Sequence, residues 1–360
     1  SVTTIVGFAF CYANSLEQIT LGSKLTSVGW AAFSECPKLM RINVPTGKSS
    51  TYATILSGSE DDEKGFNNGC LMYENGVPTY GYVASTYKWE PIKTIELTID
   101  GNGTGQVECN GETYTQNSTI YVIPSLSYTL TLTPNSGSFI KSVVVDSTNI
   151  ELSQSNSESF EYTFSNITSA DHTFAVTFQT KVFEIYDGTS SFFFDNLQDA
   201  VSFAQQKYPS TLVQLSLFVD YTSSTPVSFE DVWFDYNSLK TLNVPINLGQ
   251  NSKLNILGGT FVAKVTQNSG SLVVNGGKLS SLVTNDGTAT INDGTITSIT
   301  SSADITIQGG NVTTLKLNNS STATLGTPVV TNAILDADKD YTELEYIENS
   351  GTQYIKTGYY

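Results

Sequence analysis

Residues 254–330 read LNILGGTFVAKVTQNSG, SLVVNGGKLSSLVTNDG, TATINDGTITSITSSA, DITIQGGNVTTLKLNNSS and TATLGTPVV, which are four copies of one short pattern and the start of a fifth. Equivalent positions fall into columns. The first is Leu254, Leu272, Ala289, Ile305 and Ala323, and the second is Ile256, Val274, Ile291, Ile307 and Leu325. A turn column of Gly259, Gly277, Gly294 and Gly310 follows, then Phe261, Leu279, Ile296 and Val312, then Val265, Leu282, Ile299 and Leu315. The spacing is 16 to 18 residues. Within each copy apolar residues alternate with Thr, Ser and Asn before a Gly-Gly or Asp-Gly, the mark of a short strand ended by a turn. One such copy cannot bury its own apolar side. Stacked at the strand spacing of about 4.8 Å, successive copies build one continuous core with Thr, Ser and Asn outside. The expected fold is therefore a β-solenoid, a single-stranded parallel β-helix with small rungs.

The composition sets the class around this element. A chain of 360 residues with 39% hydrophobic and 14% charged residues has enough apolar material for two or three cored domains. Lys and Arg total 17 against 34 Asp and Glu, and the net charge of -17 excludes nucleic acid and anionic membrane surfaces as expected partners. With 28 Gly, 19 Tyr and 18 Phe among abundant Thr, Ser and Asn, the chain reads as a secreted all-β protein, too aromatic for disorder. Cys11, Cys36, Cys70 and Cys109 are scattered at spacings that fit no zinc or redox motif, so buried free thiols are expected. No run of 18 apolar residues occurs, and no membrane insertion is expected. The chain opens without Met or signal peptide and reads as a mature or trimmed fragment.

Residues 1–45 hold a second repeat, VGFAFCYANSLEQITL followed by VGWAAFSECPKLMRINVP, in which Phe10 matches Phe33, Leu16 matches Leu39, Ile19 matches Ile42 and Leu21 matches Val44, all at one spacing. A unit of this length with Leu-x-x-Ile-x-Leu is a leucine-rich repeat, one strand per turn. The second copy, with its AF-SEC-PKL-MRINVP wording, resembles the BspA-like leucine-rich repeats of bacterial surface proteins. The first copy departs from that wording, with Ala13 where the second has Cys36. Two repeats are too few to fold alone, so further repeats are expected before Ser1.

Residues 46–92 break the period, and the run Glu60 to Glu63 is expected to be a solvated loop with no second acidic cluster to complete a metal site. Tyr73, Tyr80, Tyr82, Tyr87 and Trp89 form an aromatic stripe that would either stack on sugar rings or cap the end of the repeat core. Residues 93–180 alternate in short runs around Ile95, Tyr128, Val143 and Phe174, which predicts a small antiparallel sandwich. GNGTGQVECNGE, LTLTPNSGSFIKSVVVD and YTFSNITSADHTFAVTF within it resemble the divergent B-repeat of internalin-like proteins, and that resemblance implies an Ig-like spacer. His172, the sole histidine, has no chelating or nucleophilic neighbours and is read as structural. DNLQDAVSFAQQKYP predicts a helix over 196–208, capped by Asp195 with Gln198 and stopped by Pro209, which would cover the first rung of the solenoid. The last residues, YTELEYIENSGTQYIKTGYY, resemble the opening of concanavalin-like lectin domains of gut bacterial surface and phage tail proteins.

The domain expectation is thus 1–92 for the repeat end with its capping segment, 93–180 for the Ig-like sandwich, 181–335 for the solenoid with its cap helix, and 336–360 for a linker and truncated lectin start. A polysaccharide lyase would need grouped carboxylates for calcium and a base for the C5 proton. The charged residues of the solenoid repeats are only Lys264, Lys278, Asp286, Asp293, Asp304 and Lys316, and Asp286 and Asp293 precede turn glycines. No catalytic residue, metal or cofactor is therefore expected. The functional expectation is a non-enzymatic, extended stalk, extracellular at the cell surface, for adhesion or ligand presentation to a host or microbial surface protein or glycan. A phage tail or receptor-binding protein, located on the virion tail, is the first alternative and a glycan-degrading β-helix enzyme the second. Glycan binding by this chain is expected to be weak, with Thr295, Thr297 and Asn311 of the solenoid as a further hydrogen-bonding surface.

Overall fold

In a computed structural model of the chain, the structure describes residues 2–152, 158–165, 167, 170–318 and 321–335. The lectin-like stretch at 341–360 lies outside the described residues. The chain divides into two compact units, one made mainly of residues up to Phe178 and the other mainly of residues from Gln179 onward.

The second unit is a parallel β-solenoid with three strand-pairing faces per turn; its early turns carry separate short strands, whereas Ser271–Thr284 and Thr288–Ser301 each run through all three faces as one 14-residue strand. On the first face Val213, Phe234, Leu254, Leu272, Ala289, Ile305 and Ala323 pair in succession. The second runs through Leu242, Phe261, Leu279, Ile296, Val312 and Val330, and the third through Ile246, Val265, Leu282, Ile299, Leu315 and Ala333. All the apolar columns read from the sequence are in register. Each copy contributes to all three faces, with glycine bends such as Gly277 and Gly294 between the first and the second. Two further turns precede Leu254, which the sequence reading missed. They run from Val213 to Phe234 and from Phe234 to Leu254, and both are longer than any of the turns that follow, from Leu254 to Leu272, Ala289, Ile305 and Ala323.

A turn with more residues encloses a wider cross-section, and the interior must be filled to crystal-like density. The wide turns accordingly bury Phe229, Phe234 and Tyr236; the first narrower turn still buries Phe261, and those after it bury Leu, Ile, Val and Ala289. The bend after the first face is a ladder of glycines. Gly277, Gly294 and Gly310 have φ of 83°, 110° and 80°, and a Cβ on Gly294 would meet the Gly277 carbonyl oxygen at 3.0 Å. Only glycine suits both the dihedral and the close stacking.

The start of the solenoid is closed by a hairpin and a helix. Strand Phe183–Tyr186 pairs antiparallel with both Ser191–Phe194 and Leu212–Leu217. Helix Leu197–Lys207 then lays Leu197, Ala200, Val201 and Ala204 into the core. Its N-cap is Asn196, whose side chain accepts from the Asp199 N–H at 2.8 Å, which corrects the expected Asp195 cap by one position. Covering the first turn in this way removes an open strand edge.

The first unit begins with the leucine-rich turns. Strands Gln18–Thr20, Arg41–Val44 and Leu71–Glu74 are parallel neighbours, pairing Ile19 with Ile42 and Ile42 with Met72. The rings of Phe10, Phe33 and Phe66 stack at 5.3 and 4.9 Å. The third turn runs from Ile42 to Met72, longer than the step from Ile19 to Ile42, and this stretched spacing hides the repeat in the sequence; a helix, Ser49–Leu56, takes up the added length. That helix was not expected. Its N-cap Lys48 makes no side-chain cap, and its first turn is held instead by Glu74, which accepts from Gly47 N–H at 2.5 Å and from the Ser49 hydroxyl at 2.5 Å. The Ser49 hydroxyl, with the Gly47 and Ser49 amides, holds the Glu74 carboxyl below the usual carboxylate range. Strands Val77–Val83 and Lys88–Pro91 then turn antiparallel and end the stack.

The rest of this unit is two sheets. One, antiparallel, orders its strands Glu112–Tyr114, Gly105–Cys109, Tyr128–Pro134 and Phe160–Phe164. The other orders Ser118–Val122, Lys93–Asp100, His172–Thr180, Ser138–Val145 and Thr148–Ile150. Their inward residues meet through Phe164 and Phe174, 6.3 Å apart. The expected all-antiparallel arrangement is corrected in the second sheet: His172–Thr180 runs parallel to Lys93–Asp100, because the last strand inserts beside the first.

Candidate functional site

The five aromatics singled out in the sequence do not form one exposed stripe. Tyr82 and Trp89 face each other across antiparallel strands and are 1% and 4% exposed. With Phe66 they make a ring cluster at centroid distances of 5.1 to 5.6 Å, which closes the end of the repeat core. Burial, with Glu63 nearby, pushes the Tyr82 hydroxyl up to about 12, and among the described residues neither that hydroxyl nor the Trp89 Nε1 has a hydrogen-bond partner. Tyr80 and Tyr82 point to the same side of one strand, and the Gly81 between them fits under Ile123. Tyr80 packs half-buried against the same core. Tyr73 is half-buried under the Arg41 guanidinium, whose Cζ is 3.8 Å from the ring centroid. Tyr87 is half-buried in a tight turn, at φ 57°. The two most apolar members thus offer no free ring face to a ligand.

His172 and the carboxylates singled out in the solenoid have local partners. His172 Nδ1 lies 2.7 Å from Asp146 Oδ2, and Asp146 Oδ1 accepts from the Thr173 N–H at 2.8 Å. Burial pushes the Asp146 carboxyl up, but the Thr173 amide and His172 outweigh it and hold it below the usual range. Asp286 and Asp293 sit at different bends of the solenoid, each accepting at 2.7 Å from the amide of the following glycine. The Glu60–Asp62 segment is a single exposed 3-10 turn, with Asp62 paired to Lys64 at 2.5 Å. No group of three or more His, Cys, Asp or Glu side chains is arranged to hold a metal among the described residues. Cys36, Cys70 and Cys109 are buried free thiols and Cys11 is half-buried; burial alone pushes Cys70 to about 12 and Cys109 to about 11. No described helix is long and apolar enough to cross a membrane.

Two concave surfaces stand out. One, of about 280 Å³, lies between Lys24, Lys48, Thr51 and Tyr52 in the leucine-rich turns. The other, of about 490 Å³, runs along a solenoid bend beside Trp233 and Lys253. The sequence reading assigned neither, and the second could have been found only after the two early, wide turns were recognised.

Among known protein families, the model of the BspA type leucine rich repeat region (6 copies) matches residues 1–61, which span the first two leucine-rich turns and the start of the third. No curated protein and no solved structure matches the chain.

Proposed function

We propose that this chain acts outside the cell as a non-enzymatic surface protein for adhesion or ligand presentation. The observation that carries the reading is the BspA-type repeat match over residues 1–61, since the resemblance of these repeats to bacterial surface proteins implies an exposed, contact-making role. The physical organisation supports it. In both repeat stacks the inward columns hold the fold, which leaves the outward positions, among them the Thr, Ser and Asn ladders of the solenoid, free to vary for recognition. The carboxylates Asp146, Asp286 and Asp293 are engaged by neighbouring amides or His172. A spacer role for residues 93–180 and a lectin start at 341–360 belong to the same proposal.

The test is saturable binding of the labelled chain to a panel of purified extracellular-matrix proteins, mucins and bacterial cell surfaces. Specific, competable binding to any of them supports adhesion. Absence of binding together with release of reducing ends from mixed plant and mucin glycans would replace it with the enzyme reading.

A further inference from the structure

On the first face of the solenoid the outward side chains change size abruptly. Leu212, Trp233, Lys253, Ser271 and Thr288 pair in register, one per turn, so neighbours stand about 4.8 Å apart. Two large side chains, Trp233 and Lys253, are followed by two small ones, and the step between them opens the groove of about 490 Å³, walled by Gln250, Asn251 and Ser252. Trp233 is held in place: its Nε1–H donates to the Asn251 carbonyl at 2.9 Å, and the Lys253 ammonium lies 3.5 Å from the ring centroid. Beneath the surface, the fully buried Gln267 fixes the bend, its Nε2 donating to the carbonyls of Gly270 at 3.1 Å and Thr288 at 2.8 Å.

The lining has a chemical bias. It contains an indole, two amides, five hydroxyls and one ammonium, and no carboxylate, in a chain with 34 Asp and Glu against 17 Lys and Arg. Among the described ion pairs Lys253 has no carboxylate partner, and its charge rests on a ring. An indole beside amides and hydroxyls suits the apolar face and hydroxyl rim of a sugar ring. The carboxylate at the groove wall, Asp231, is taken up by the Asn251 amide at 3.0 Å, so a cation with no ion-pair partner favours a ligand that brings its own acid. We propose that the groove at Trp233 and Lys253 binds an acidic oligosaccharide, with a uronate ring against the indole and its carboxylate on Lys253. From Trp233 to Thr288 the groove spans three turn spacings, about 14 Å, room for about two sugar rings. Binding is weak and salt-sensitive, because the ion pair is exposed and the chain as a whole is negative. The inference deepens the adhesion reading and rests on it, by naming a ligand class that such a surface would meet.

The experiment titrates the full chain with glucuronate- and galacturonate-ended disaccharides and with their neutral hexose counterparts, read by calorimetry and by tryptophan fluorescence. The uronates are expected to bind about tenfold tighter than the neutral sugars, a difference that Lys253→Gln removes. Trp233→Phe should weaken the uronates and remove the fluorescence response, while Lys316→Gln changes nothing. Lys253 is exposed, so its loss leaves the fold intact, and matching melting curves confirm that for both groove variants. Equal affinity for acidic and neutral sugars, unchanged binding in Lys253→Gln, or no binding up to about 10 mM would each overturn the proposal. Running the adhesion panel on the same variants separates the two readings. Adhesion without uronate binding removes the groove assignment alone, and uronate binding without adhesion removes the surface role alone.

Discussion

Replacing Ile291 by alanine tests whether the inward columns hold the solenoid. Ile291 is fully buried and lies between Val274 and Ile307 on adjacent turns. The change deletes three carbons, about 2.4 kcal/mol of transfer free energy at ~0.8 kcal/mol each. A residual cavity of about 60 Å³ at ~24 cal/mol per Å³ adds roughly 1.4 kcal/mol, for a total near ~4 kcal/mol. At roughly 2–4 °C per kcal/mol for a unit of this size, the melting transition should fall by about 8–16 °C. Ile291→Asp should be worse by several kcal/mol, because an unpaired carboxylate enters a dry core. Lys316→Ala, on an exposed rung position, should stay within about 0.5 kcal/mol. Differential scanning calorimetry gives the transition, and hydrogen exchange read by mass spectrometry shows whether strands 271–284 and 311–317 lose protection together. Equal melting temperatures for all three variants would refute the column argument, since charge or outward contacts would then carry the stability.

Gly294→Ala should cost about 2–3 kcal/mol, half from forcing a Cβ to φ 110° and half from its approach to the Gly277 carbonyl; a thermal melt checks it, and a loss under about 0.5 kcal/mol would contradict the ladder. Asp187 accepts from Tyr208 at 2.6 Å and from Thr189 and Ser190, and these bonds hold its carboxyl well below the ordinary range. Its contribution is therefore full above the unfolded value near ~4 and is lost as pH falls through the folded value. Asp187→Asn should cost about 1 kcal/mol at pH 7 and the two melting curves should converge on acidification, whereas a gap that stays constant into strong acid would deny the carboxylate its role. In native protein maleimide should label Cys11 first, because burial raises Cys36, Cys70 and Cys109 and leaves little thiolate, and all four should label once unfolded; a linked Cys11–Cys36 peptide would overturn free thiols.

What was legible in the sequence is what repeats at fixed spacing. From Leu254 onward the turn length hardly drifts as the first column passes through Leu272, Ala289, Ile305 and Ala323, so eye alignment recovers the columns that the hydrogen-bond register uses. Before Leu254 the same fold is present but unreadable. Its turns are longer, and Phe234 and Tyr236 occupy positions that later hold Leu254, Ile256, Leu272 and Val274. Size changes with circumference, so residue identity and period shift together and no pattern survives. The third leucine-rich turn is hidden for the same reason, with Met72 and Phe66 continuing columns whose spacing has stretched.

Long-range capping explains the missed helix. The stretch SSTYATIL lacks a local N-cap and carries two β-branched threonines, so its own propensity argues weakly for a helix. The anion that its first turn needs comes from Glu74, far along the chain from Ser49 and brought there by the third strand of the stack. A carboxylate at a helix start is visible to a sequence reading only when it lies within the first turn. The groove at Trp233 is hidden by the same logic. Trp233, Lys253, Ser271 and Thr288 are each separated from the next by a whole turn of chain and become one surface only when the turns stack. The aromatic stripe at 73–89 is legible as a cluster, for stacking on sugars or for capping, because its members are near in sequence. Proximity along the chain lets Tyr82 and Trp89 meet across one hairpin and close a core, the capping reading, whereas the open ladder on the solenoid needs residues from four turns. In a repeat protein, recognition surfaces run across the repeats, and the residues that build them are recovered by register.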